Sequence, residues 1–172
     1  MPRPPSDAEF SELVQASWAS LYRTAYLLLG DRAEAEDLVQ TALAKTYASW
    51  HKVRTVEAAP GYARTTLVNT ASSWFRRKSW RNEHPTETLP EQGVAHDPSD
   101  RPALIAALAQ LPPRQRAVVV LRYYDDLSVA STAHALGITE GTVKSQTSDA
   151  LARLRTLLGD AVVPDTLGAH HD

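Results

Sequence analysis

The sequence predicts an all-α protein: two small helical domains joined by a flexible acidic linker, the C-terminal domain a helix-turn-helix. Three observations predict this. Apolar residues recur at helical spacing along most of the chain and nowhere alternate as in a strand. The stretch "NEHPTETLPEQGVAHDPSDRP", residues 82–102, breaks that period with four of the eleven prolines and five acids, as an interdomain tether does. Beyond it, a short helix, a glycine and a longer helix follow in helix-turn-helix spacing.

Phe10, Leu13, Val14, Trp18, Leu21, Tyr22, Ala25, Leu28 and Leu29 lie on one stripe, and Gly30 stops that helix. Asp31 with Glu34 has the form of a capping box opening a second helix. Its stripe is Ala35, Leu38, Val39, Ala42, Leu43, Tyr47 and Trp50. "HKVRTVEAAPG" breaks the pattern, and Pro60 suits the first turn of a third helix reaching Arg81. Ala63, Leu67, Ala71 and Trp74 give it an inward face. Helical period resumes from Ala103 to Leu111, and Pro113 opens the next helix, expected to run through Tyr124. "DDLS" reads as a turn; Ser128 can cap a short helix ending at Gly137, and Thr139 a last helix reaching Leu158. Ala130, Ala133, Leu136, Ile138, Val143 and Leu151 are the expected core of the helix pair. The expected division is a domain at 8–82, a linker at 83–102 and a second domain at 103–158.

Composition removes several function classes. The 172 residues are 43% hydrophobic and 22% charged, enough for one ordinary core or two small ones. The absence of cysteine excludes disulfides and zinc thiolate sites. The start "MPRPPSDAEF" has no apolar signal region and no stretch reaches membrane-span length. A cytoplasmic protein without membrane insertion is expected. The six histidines have no metal-ligand spacing, and no phosphate loop, nucleophile elbow or catalytic carboxylate pair is visible. The expectation is therefore a non-enzyme with no catalytic residue, metal, cofactor or small-molecule substrate.

A net charge of −2 weighs against nucleic-acid binding as a sum, but its distribution matters more. In "SSWFRRKSWRNEH", Trp74, Phe75 and Trp80 interleave with Arg76, Arg77, Lys78 and Arg81, with no acid from 74 to 82. Cations attract phosphates, and exposed aromatics stack on unpaired bases. A buried Trp74 beside a solvated helix end would explain part of the same pattern. In the helix-turn-helix, the second helix presents Glu140, Thr142, Lys144, Ser145, Thr147 and Ser148 from its N-terminal half, the half that enters a major groove. A polar αα-hairpin has the same periodicity. The acids of the second helix, Glu34, Glu36 and Asp37, suit either the helix dipole or a partner.

Taken together, "LYRTAYLLLGDRAEAEDLVQTALAKTYASW", "PGYARTTLVNTASSWFRRK" and "LPPRQRAVVVLRYYDDLSVASTAHALGITEGTVKSQTSDALARLR" resemble the extracytoplasmic-function, or group IV, sigma factors of the sigma-70 family. The third stretch suggests the actinobacterial branch. The resemblance spans roughly residues 8 to 158, and the order of its segments is more specific than any one of them. It implies a promoter-specificity subunit whose partners are core RNA polymerase (β′ clamp helices and β flap), promoter DNA and, in some members, an anti-sigma factor. It implies polymerase docking through Asp37, Leu38, Gln40 and Lys45. It implies that Asn69 helps to form a pocket for a flipped −10 base, with Trp74, Arg76, Arg77, Lys78, Trp80 and Arg81 around the melted strand. It assigns the −35 duplex to Thr139, Glu140, Thr142, Lys144, Ser145, Gln146, Ser148 and Asp149. The chain departs from the family at Gln146 and Asp149, where further bases are common, and at Thr132, where a bulky apolar residue is common. Two other functions fit part of these residues: a stand-alone helix-turn-helix regulator, or a degenerate sigma paralogue acting through protein interaction.

Overall fold

The structure is a computed structural model that describes residue 3, residues 5–81 and residues 102–159. The expected linker, save Pro102 at its end, lies outside the described residues. Among those described there are seven α-helices and no strand: α1 (Asp7–Leu29), α2 (Arg32–Ala48), α3 (Ala59–Arg81), α4 (Pro102–Gln110), α5 (Pro113–Val119), α6 (Val129–Leu136) and α7 (Glu140–Leu158). They cluster into two compact units. One gathers α1 through Tyr26 with α2 and α3; the other gathers Leu27–Asp31 with α4 to α7.

In the first unit the start of α1 is fixed by a box the apolar pattern does not reveal. Ser6 Oγ accepts from the Glu9 N–H (3.3 Å), while the Glu9 carboxylate accepts from the Ser6 N–H. The Ser6 backbone bond, more than any other interaction, holds the Glu9 carboxyl below its usual pKa. Leu13, Trp50, Val53 and Ala59 pack beneath this end, with Phe10 and Tyr62 at their edge. The Trp50 indole N–H donates to the Ser6 carbonyl (3.0 Å). At the other end Gly30, at φ +71°, closes α1 in the left-handed region glycine favours.

Leu38, Val39 and Ala42 of α2 and Ala63, Leu67, Val68 and Ala71 of α3 are fully or almost fully buried. Tyr47 does not join the buried stripe: it is 49% exposed, and Thr46 is buried instead. The reason is local. The Tyr47 ring packs on Phe10, with centroids 4.9 Å apart, and its hydroxyl donates to Asp7 Oδ1 at 3.1 Å, a bond that raises the phenol pKa. The Thr46 hydroxyl meets its own need by donating to the Ala42 carbonyl (2.8 Å).

In the second unit, Leu108, Leu111, Val119, Ala150, Leu151 and Leu154 form one cluster, and Val118, Ala133 and Val143 form another. Arg116 supports the turn between α4 and α5. Its guanidinium donates to the carbonyls of Leu28 (2.7 Å), Leu108 (2.8 Å), Ala109 (3.0 Å) and Leu111 (3.0 Å), all at or just past helix ends, where carbonyls lack their full set of intrahelical partners. Burial lowers its pKa from the usual arginine value.

The expected single helix through Tyr124 is two pieces. Past Val119 the backbone widens into a π-type stretch, Val120–Tyr124. The Asp125 N–H bonds the Val120 carbonyl (3.0 Å) and the Leu127 N–H bonds the Leu121 carbonyl (2.9 Å). Arg122 Nη1 donates to the Leu127 carbonyl (2.7 Å), so the widened turn is tied at both faces. It delivers the chain to Ser128, whose Oγ accepts from the Ser131 N–H (3.0 Å) and caps α6. In α6 the inward face differs from the expected one. Ala130 is exposed, and Thr132, Ala133 and Ala135 are buried. The Thr132 hydroxyl has no hydrogen-bond partner among the described residues.

Candidate nucleic-acid interface

Two helices carry the residues expected at DNA. In the second unit, Gly137 takes the left-handed conformation (φ 66°, ψ 37°) and turns the chain between α6 and α7. The Ile138 N–H bonds back to the Ala133 carbonyl (3.0 Å), which completes the turn. Thr139 Oγ1 accepts from the Thr142 N–H (3.1 Å) and lies 2.9 Å from the Thr142 hydroxyl. Val143 is fully buried, which anchors α7 and sets its outward face.

That face carries the predicted set. Thr139, Glu140, Lys144, Ser145, Ser148 and Asp149 are exposed, and Thr142 and Gln146 are half-buried. The hydroxyls of Thr139, Thr142 and Ser145 are engaged locally, Ser145 with the Thr142 carbonyl at 3.1 Å. No hydrogen bond or ion pair among the described residues engages the side chains of Lys144, Gln146, Ser148 and Asp149. These four are available to an external ligand without first breaking an internal bond. Asp149 lies beyond the second turn of α7, past the end that enters a groove first. Its carboxylate suits the exocyclic amine of cytosine better than a phosphate.

In the first unit, Asn69 is exposed between buried Val68 and buried Thr70. Its side chain has no hydrogen-bond partner among the described residues. Asn69, Ser73 and Arg77 are spaced i, i+4, i+8, so they share one row along α3. Arg77 Nη2 donates to Ser73 Oγ (3.2 Å), which holds the guanidinium along that row. Trp74 is half-buried rather than core. Arg76, Lys78, Trp80 and Arg81 fall on the last turns of α3, and their side chains lie outside the described residues.

The α2 residues separate into two kinds. Asp37 and Gln40 are exposed. Leu38 is fully buried, so it belongs to the core and cannot itself touch a partner. Lys45 is exposed, but its Nζ donates to Thr70 Oγ1 (3.3 Å) and so bridges α2 to α3. Thr70 in turn donates to the Thr66 carbonyl (2.7 Å). Sequence reasoning missed this link, because hydroxyls at i, i+4 spacing within an apolar helix carry no mark of the lysine they will meet. Among the described residues no group of histidines and carboxylates could hold a metal ion, and no helix is long and apolar enough to cross a membrane.

Comparison with known proteins gives the family of the chain. The model of "Sigma-70 region 2" matches residues 13–81, and that of "Sigma-70, region 4" matches residues 107–156. The RNA polymerase sigma-E factor of Streptomyces coelicolor is 43% identical over 150 residues, covering 86% of this chain and 84% of that one. The ECF RNA polymerase sigma factor SigM of Mycobacterium tuberculosis is 32% identical over 157 residues, covering 87% of this chain and 77% of that one. The sigma factor RpoE of Bartonella quintana, solved in complex with the anti-sigma factor NepR, superposes with a TM-score of 0.73 at 25% identity, over 88% of this chain and 97% of that one. Both family models and the relatives from Streptomyces and Mycobacterium give one answer: the chain belongs to the sigma-70 family as an extracytoplasmic-function RNA polymerase sigma factor of the actinobacterial kind.

Proposed function

We propose a division of labour among three helices. Asp37 and Gln40 of α2 meet core RNA polymerase, with Leu38 setting the helix from below. Asn69 and Arg77 of α3, with Trp74 and the cations further along, hold the melted −10 strand. The exposed side chains of α7 from Thr139 to Asp149 read the −35 duplex. The domain limits 8–82 and 103–158, with the acidic tether between them, are part of the same proposal. The observation that carries it is Asn69: an exposed amide with no partner among the described residues, between two buried residues, in one row with a tethered arginine. Holding a base outside the stack costs a few kcal/mol, and a fixed amide with an adjacent cation can offset part of that.

The protein acts where its DNA is, in the cytoplasm, as an initiation factor and not a catalyst. An anti-sigma protein of the kind held by the Bartonella quintana relative is the further partner class. The alternative, a degenerate paralogue that binds polymerase without initiating, is favoured by Gln146 and Asp149, which leave Lys144 as the cation of the α7 reading half.

Run-off transcription with purified core polymerase on a panel of promoters separates the two. A promoter-specific transcript, lost on Asp37→Arg, is expected. Core binding with no transcript from any promoter favours the degenerate paralogue, and a transcript unaffected by Asp37→Arg removes α2 from the polymerase contact.

A further inference from the structure

Five glycines lie among the described residues, and the backbone accounts for three of them. Gly30, Gly137 and Gly159 have φ values of +71°, +66° and +80°, where a side chain is strained. Gly61 and Gly141 do not share that reason. Gly141 is the second residue of α7 and is exposed. A Cβ built there meets only Thr139 Oγ1 at 3.9 Å, an ordinary contact. Neither backbone conformation nor packing within the described chain requires a glycine at this position. Glycine also weakens a helix relative to alanine.

The glycine leaves the backbone of the first turn of α7 open to a neighbour outside the chain. We propose that Gly141 is a specificity-determining position at which promoter duplex packs directly against the backbone of the first turn of α7. In this arrangement a DNA atom fills the space a Cβ would take. The inference rests on the assignment of α7 to the −35 duplex and adds how closely that helix sits. The flanking groups fit a nucleic-acid neighbour rather than an apolar one: the hydroxyls of Thr139, Thr142 and Ser145 and the ammonium of Lys144 surround Gly141 in sequence. A recognition helix enters the major groove by its N-terminal residues, where one methylene decides how deep it goes. Gly61 also has open space around it, with nothing within 4 Å. It lies on α3, more than two turns before Asn69 and outside the helix assigned to the −35 duplex, and so serves as the control.

The test uses the full chain assembled with purified core polymerase. The probe is a duplex promoter fragment recovered by the wild-type holoenzyme from a pool randomised at the −35 element. Gly141→Ala is expected to unfold at the wild-type temperature or ~2–5 °C above it. Its holoenzyme should bind the fragment about tenfold or more weakly. Gly61→Ala should gain stability in the same way and keep wild-type affinity. Gly141→Ala affinity within twofold of wild type, while Lys144→Ala weakens binding, overturns the close-approach inference and leaves the −35 assignment standing. If neither variant changes binding, the assignment of α7 fails and the inference with it. A fall in unfolding temperature for Gly141→Ala, or an equal affinity loss in Gly61→Ala, also overturns it, because the glycine would then serve the fold.

Discussion

Thr132 and Arg116 show opposite solutions to burying a polar group. The Thr132 hydroxyl is fully buried without a partner among the described residues, whereas the Arg116 guanidinium bonds four carbonyls. An unmet buried hydroxyl costs about 1–3 kcal/mol, and valine has nearly the same shape. Thr132→Val should therefore raise stability by about 1 kcal/mol in chemical denaturation; a loss would mean that the hydroxyl is bonded in solution. Arg116→Met should cost about 2–4 kcal/mol, because it leaves the end of α4 with open acceptors. A midpoint unchanged within error would show that those carbonyls find water. The expected burial of Ala130 failed for a related reason. "VASTAHAL" is mostly small residues, several of which could face inward, and the side chains it meets, Val118 and Val143, choose the face. Leu38 was legible as a core residue and as part of a docking segment; only burial separates the two.

At the scale of elements, the helix starts and stops were the most legible features. Ser128, Gly137 and Thr139 act within a few residues of themselves, so their capping geometry can be read from local sequence. The π-type stretch after Val119 was not legible, since it depends on the Leu127 N–H reaching past Tyr124 to Leu121. The row on α3 proposed as a site was legible in part: the spacing of Asn69, Ser73 and Arg77 is in the sequence, and the Lys45–Thr70 bridge behind it is not. Asn69→Ala should leave core binding intact and reduce promoter opening by roughly tenfold, the effect of losing one well-placed base contact. Permanganate footprinting of the open complex checks this, and an unchanged pattern of reactive thymines would refute it.

For the molecule as a whole, the charge distribution sets how DNA affinity is reached. The exposed cations of α7 are Lys144, Arg153 and Arg155, opposed by Glu140 and Asp149. With so few phosphate contacts, the free chain should bind −35 duplex weakly, with a log–log salt slope no steeper than about −3. Polymerase should tighten that binding about 100-fold or more by tethering the helix near its site. Titrating labelled duplex with free chain and with holoenzyme at several salt concentrations measures both quantities. A free-chain slope steeper than about −5 would point to a stand-alone DNA-binding protein.

The alternation on α2, with Asp37 and Gln40 facing outward and Leu38 and Val39 inward, has a genetic consequence. If α2 docks on polymerase as proposed, lesions at 37 and 40 should lower partner affinity without lowering the amount of folded protein. They should be rescued, allele by allele, by compensating changes on the polymerase. Lesions at 38 and 39 deplete the protein itself, so no change in a partner can restore them, and only extra gene copies or a second stabilising substitution in the same chain will. Docking preference and foldability can therefore drift independently along one helix, which lets a lineage re-tune its competition for polymerase without re-engineering its core.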